Sequence, residues 1–181
     1  LNGLILKPGT TLTLNGTYTA NRTANTPTFA TDAAGSASIL GSGAVSLTHS
    51  GTNDCPFGGI GSGTWGVSGG TLTFGGTGSL SLTAASAANV RLLSSDLNLQ
   101  RDTSFSATST GYFVQYTGNK INVTGSGNTM TVNAGAILRA QAADRQVRVN
   151  GSGELALNGG TLEGNSDGSD WNLRIGQGTA G

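Results

Sequence analysis

Gly41-Ser42-Gly43-Ala44-Val45-Ser46-Leu47 is a glycine-rich punctuation followed by a short alternating run. The cassette returns as Gly69-Gly70 before Thr71-Leu72-Thr73-Phe74 and as Gly76-Thr77-Gly78 before Ser79-Leu80-Ser81-Leu82. It returns again as Gly151-Ser152-Gly153 before Glu154-Leu155-Ala156-Leu157 and as Gly159-Gly160 before Thr161-Leu162-Glu163. A short unit of this kind cannot bury its apolar side alone, and it does so by stacking on its neighbours. Other alternating runs, such as Thr11-Leu12-Thr13-Leu14, Ile121-Asn122-Val123-Thr124 and Val147-Arg148-Val149-Asn150, place apolar side chains on one face and polar ones on the other. The expectation is an all-β chain, a parallel right-handed β-helix or β-solenoid with irregular coil lengths, forming one domain over residues 1–181. The competing architecture is an antiparallel sandwich. Asn15-Gly16, Asn150-Gly151, Asn158-Gly159 and Asp167-Gly168 would supply its hairpin turns. Very short strands and similar side chains at similar phases favour stacked coils. The coil length varies, since the step from Gly41 to Gly61 is shorter than the step from Gly125 to Gly151.

Three stretches break the alternation. Residues 21–35 and 50–59 read as loops, the first around Pro27 and the second around Asn53, Asp54, Cys55, Pro56 and Phe57. Residues 134–146, rich in Ala with Ile137 and Leu138, read as one or two helical turns, and residues 84–89 are ambiguous.

Composition excludes several function classes. Charged residues are 10% of the chain, with 9 basic against 9 acidic, so no basic patch is available for phosphates. Glycine contributes 31 of 181 residues, but the regular Leu, Val and Ile pairs between glycines argue against disorder. Cys55 is the only cysteine, so no intrachain disulfide forms, and with His49 the only histidine a zinc site lacks ligands. No apolar run reaches the roughly 20 residues of a membrane span. Neither end reads as a polar cap. The expectation is a segment of a longer protein, or open ends that stack on another copy.

Gly61-Ser62-Gly63-Thr64-Trp65-Gly66-Val67-Ser68-Gly69-Gly70-Thr71-Leu72-Thr73-Phe74-Gly75-Gly76 resembles the β-strand repeats of bacterial autotransporter passengers and related secreted β-helix proteins. Asn158-Gly159-Gly160-Thr161-Leu162-Glu163-Gly164 and Leu173-Arg174-Ile175-Gly176-Gln177-Gly178 resemble the same class. The resemblance covers residues 41–83 and 147–181 best. It implies an extracellular or bacterial cell-surface location and a role in adhesion or surface structure, and it carries over no catalytic residue. The membrane barrel that ends autotransporters has no counterpart in these residues.

The expected function is therefore an extracellular structural or adhesive β-helix, such as a filament subunit or adhesin stalk, and not an enzyme. Its expected partners are another copy end to end, adjoining segments of the same protein, or surface glycans. Two alternatives stand beside it. A carbohydrate-active β-helix would need paired carboxylates across a cleft. The acids are sparse, and Asp144 with Arg145 and Arg148 forms the densest charged cluster. A passive binder of glycan or ice is the second alternative. The Thr-x-Thr pairs that begin at Thr11, Thr17, Thr71 and Thr129 are too unevenly separated for a flat ladder on successive coils. Candidate glycan-stacking rings are Trp65, Tyr112, Tyr116 and Trp171. Asn165, Asp167 and Asp170 are the oxygen-rich candidates for calcium, the one cofactor considered. Leu155 is expected to face the core, where Leu155→Asp would leave a buried, unpaired charge.

Overall fold

The computed structural model describes residues 4–23, 29–31, 35–51, 55–57, 70–85, 90–92, 96–108, 113–115, 120–140, 146–164 and 173–175. The chain winds through three strand positions per rung. The first rung holds β1 (Leu4–Leu6), β2 (Thr11–Thr13) and β3 (Tyr18–Arg22), and the second β4 (Phe29–Thr31), β5 (Gly35–Leu40) and β6 (Val45–His49). The third holds β7 (Cys55–Phe57), β8 (Gly70–Phe74) and β9 (Leu80–Ala84), and the fourth β10 (Val90–Leu92), β11 (Asp96–Leu99) and β12 (Thr103–Ala107). The fifth holds β13 (Phe113–Gln115), β14 (Lys120–Val123) and β15 (Thr129–Asn133), and the sixth β16 (Ile137–Ala140), β17 (Gln146–Val149) and β18 (Glu154–Asn158). β19 (Thr161–Glu163) and β20 (Leu173–Ile175) begin a seventh.

Among the described residues, the strands pair in parallel and join successive rungs. The sheets run β2-β5-β8-β11-β14-β17-β20, β3-β6-β9-β12-β15-β18 and β7-β10-β13-β16-β19, with β1-β4 as a separate pair. This is a β-solenoid, and no helix occurs among the described residues. The described Asn-Gly dipeptides are turns between sheets and not hairpins. Gly151 and Gly159 take positive φ values of 62° and 73° there.

The core is a set of side-chain columns. On the seven-stranded sheet one inward column runs Ile39, Phe74, Leu99, Val123 and Val149, all buried. On the six-stranded sheet another runs Leu47, Leu82, Phe105 and Val132, also buried. Aromatic, γ-branched and β-branched side chains are mixed along these columns, which lets layers interdigitate at native density. The second column ends at Leu157 on β18, which is 53% exposed. Leu155 follows Met130 in the neighbouring inward column but is only half-buried, because β18 is the edge strand of its sheet among the described residues. The full cost of a buried charge therefore belongs at Met130, which is 0% exposed, and not at Leu155.

Rung length varies with the connections. Leu97 pairs with Ile121 and Ile121 with Val147, whereas the step from Val45 to its partner Leu80 is much longer. Gly41 accordingly stacks beneath Gly76, so the step from Gly41 to Gly61 is not a rung.

The structure also differs from the loop and helix expectations in three stretches. The stretch 21–35 contains β4, and the stretch 50–59 contains β7 despite Pro56. The Ala-rich stretch 134–146 carries β16, a strand that pairs with β13 and β19, in place of helical turns. Among the described residues β7 is the edge strand of its sheet and pairs with β10 alone, a position where the missing N–H of Pro56 is tolerated. In residues 84–89, Ala84 closes β9 and residues 86–89 lie outside the described set.

Candidate functional site

The corner between the seven- and six-stranded sheets explains the Gly-x-Gly form of the cassette at Gly41–Gly43 and Gly76–Gly78. A Cβ on Gly43 would lie 2.1 Å from the Gly16 carbonyl oxygen, and one on Gly78 would lie 2.0 Å from the Gly43 oxygen. Turns on three consecutive rungs approach backbone to backbone, so these positions exclude any side chain. The fourth turn, Gln100-Arg101-Asp102, is shorter and contains no glycine. Here the Arg101 side chain folds back over the preceding turns and is 1% exposed. Its Nε donates to the Gly75 carbonyl at 2.9 Å, and its Nη1 to that of Gly43 at 3.2 Å. Its Nη2 donates to Gly75 and, at 3.3 Å, to Gly41. One planar fork thus serves carbonyls on two lower rungs, a geometry suited to guanidinium and not to ammonium. Burial holds the Arg101 guanidinium below the ordinary arginine value. The Arg101 carbonyl accepts from Thr103 Oγ1 at 3.0 Å, which satisfies the one hydroxyl in the otherwise apolar Leu80–Met130 column.

Beside this corner lies a hollow of about 250 Å³ on the outer side of the six-stranded sheet, lined by Ser79, Leu80, Asp102, Thr103, Ser104, Thr129 and Thr131. Strand register builds it. Leu80 N–H donates to the Asp102 carbonyl at 2.8 Å, so the β9–β12 ladder continues one residue ahead of the paired strands. Ser79, Asp102 and Thr129 therefore stand on one outward column. Ser81, Ser104 and Thr131 form the next, two residues along each strand. Neighbouring strands are about 4.8 Å apart, so the hollow spans roughly 9.5 Å over two spacings.

Its hydrogen-bonding character follows from the partners. Asp102 Oδ1 accepts from the Thr129 N–H at 3.0 Å, which fixes the carboxylate at the rim. Ser104 Oγ and Ser81 Oγ hydrogen-bond at 3.2 Å, which spends one of their two protons between them. The hydroxyls of Ser79, Thr129 and Thr131 take no partner among the described residues. Glu154 is in register with Thr129 and continues the Asp102 column, but it does not line the hollow. A glycosidase pair needs two carboxylates facing one bond. The lining supplies one.

The outer face of this sheet continues as two polar columns. One runs Thr19, Ser46, Ser81, Ser104 and Thr131; the other runs Asn21, Thr48, Thr83, Ser106, Asn133 and Asn158. Asn133 Nδ2 donates to Ser106 Oγ at 3.0 Å, and Asn158 Nδ2 to Asn133 Oδ1 at 3.1 Å. A hydroxyl ladder on successive rungs therefore exists. Counting threonines alone misses it because serine and asparagine fill the other rungs. On the seven-stranded sheet, Asn98 links Thr73 and Asn122 in the same manner.

The candidate rings Trp65, Tyr112, Tyr116 and Trp171 lie outside the described residues, as do Asn165, Asp167 and Asp170. Of the Asp144, Arg145 and Arg148 cluster only Arg148 is described; its Nε donates to Gln146 Oε1 at 2.7 Å. Among the described residues there is no group of three or more His, Cys, Asp and Glu placed to hold a metal, and no helix is long and apolar enough to cross a membrane. His49 is buried in an inward column, with Nδ1 2.9 Å from the Arg22 carbonyl oxygen. No family model, curated protein or solved structure matches this sequence.

Proposed function

We propose that this chain is a passive β-solenoid rod, a structural and adhesive element of an extracellular or cell-surface protein, and not an enzyme. The observation that carries the reading is the exposed rim of the stack. Among the described residues β18 is an edge strand, and its Leu157, the last member of an inward core column, stands exposed. An apolar column that finishes at an unpaired parallel edge supports coverage by another rung, from further coils of the same polypeptide or from a second copy. Zero net charge and hydroxyl-rich outward columns support contact with other uncharged surfaces, since little net charge repulsion opposes close approach. The extracellular placement rests on the resemblance to secreted β-strand repeats.

Sedimentation velocity over a range of concentrations tests the reading. Association that grows with concentration and is weakened by Leu157→Glu is expected. A monomer at every concentration, unchanged by that substitution, would contradict end-to-end joining.

A further inference from the structure

We propose that the Asp102 hollow binds adjacent hydroxyls of a neutral saccharide, so that the face of the six-stranded sheet is the adhesive surface of the rod. This inference rests on the adhesive reading above and gives it a ligand class. Asp102 keeps acceptor capacity beyond the single bond from Thr129 N–H, because a carboxylate has about four lone-pair sites. Ser104 and Ser81 hydrogen-bond to each other and spend one of their two protons between them, so the pair offers more acceptor than donor capacity. A ligand that brings donors therefore suits that side. Ser79, Thr129 and Thr131 present hydroxyls that both donate and accept, so the rest of the lining matches a ligand whose groups do the same. A saccharide diol has that character. A phosphate or carboxylate ligand brings acceptors and negative charge against Asp102, and the lining offers no cation. Arg101 is buried and directs four hydrogen bonds to the Gly41, Gly43 and Gly75 carbonyls, and it does not line the hollow.

The hollow is also held rigid, which lowers the ordering cost of binding. Asp102 is tied to Thr129, Ser104 to Ser81 and Thr103 to Arg101. The similar outward columns on neighbouring rungs would let a polysaccharide chain engage more than one rung. A short oligosaccharide would then bind weakly and an extended one more strongly.

The test is saturation-transfer NMR with cellohexaose, maltohexaose and mannohexaose, with hexaglucosamine as the cationic comparison. The expected result is transfer to at least one neutral hexasaccharide that persists in high salt. It should fall about tenfold or more in Asp102→Asn and in Thr131→Val, and stay unchanged in Ser36→Ala on the other sheet. Both hollow variants should keep the thermal transition of the parent, because Asn retains an acceptor for the Thr129 N–H and Val is close in shape to Thr. No transfer to any neutral sugar, or transfer that survives both substitutions, would overturn the proposal. Binding confined to hexaglucosamine and abolished by salt would also overturn it, in favour of an ammonium site. New reducing ends released from a bound hexasaccharide would leave the hollow's ligand standing and refute the passive reading instead. Sedimentation behaviour is independent of either result.

Discussion

At the residue scale, the corner glycines divide into two physical kinds. Gly78 has no room, since its Cβ would sit 2.0 Å from the Gly43 oxygen on a backbone locked into a ladder. Gly127 has open space around it but a φ of 75°. Gly78→Ala should therefore destabilise by about 3 kcal/mol or more, at or beyond the upper end of overpacking costs. Gly127→Ala should cost only the left-handed penalty of about 1–2 kcal/mol. Chemical denaturation of the two variants checks the order, and equal losses would contradict the stacked-turn geometry. Arg101 takes over glycine's place on the fourth rung by reaching back to carbonyls that a longer turn would otherwise serve. Arg101→Met should remove donors from Gly75 and Gly43 and cost about 3 kcal/mol, the range for hydrogen bonds to a charged group. Arg101→Lys should recover only part of that loss, because a point charge cannot bridge two turns.

At the element scale, burial sets what each column position contributes. Leu82 is 1% exposed and Leu157 is 53% exposed in the same inward column. Leu82→Ala should cost about 2–5 kcal/mol, and Leu157→Ala about 1 kcal/mol or less. Urea unfolding midpoints separate the two. The longer strands are legible in the sequence because they are long enough to show alternation, as in Leu80-Ser81-Leu82-Thr83. β4 and β7 are not, because strands so short cannot show a period of two and Pro56 reads as a breaker. β16 hides under the helix propensity of the alanines around it, which parallel pairing with β13 and β19 overrides. The Asp102 hollow becomes legible only once the register is known. Ser79, Asp102 and Thr129 come from three different rungs, and unequal turns erase any fixed spacing between them. Asp102 by itself looks like any other surface acid.

At the scale of the whole molecule, each rung contacts its neighbours above and below, and the outermost described rungs differ from the middle. The six-stranded sheet runs from β3, where Tyr18 and Ala20 are half-buried, to β18, where Leu157 is exposed. Such a stack should behave as a sum of rungs and interfaces, and adding a rung at an open edge should stabilise it. End-to-end joining is the central claim, and electron microscopy of the concentrated chain tests it most directly. Rods that lengthen with concentration, and shorten to single units in Leu157→Glu, are the predicted result. Uniform single particles at all concentrations, with the parent and the variant indistinguishable, would contradict it.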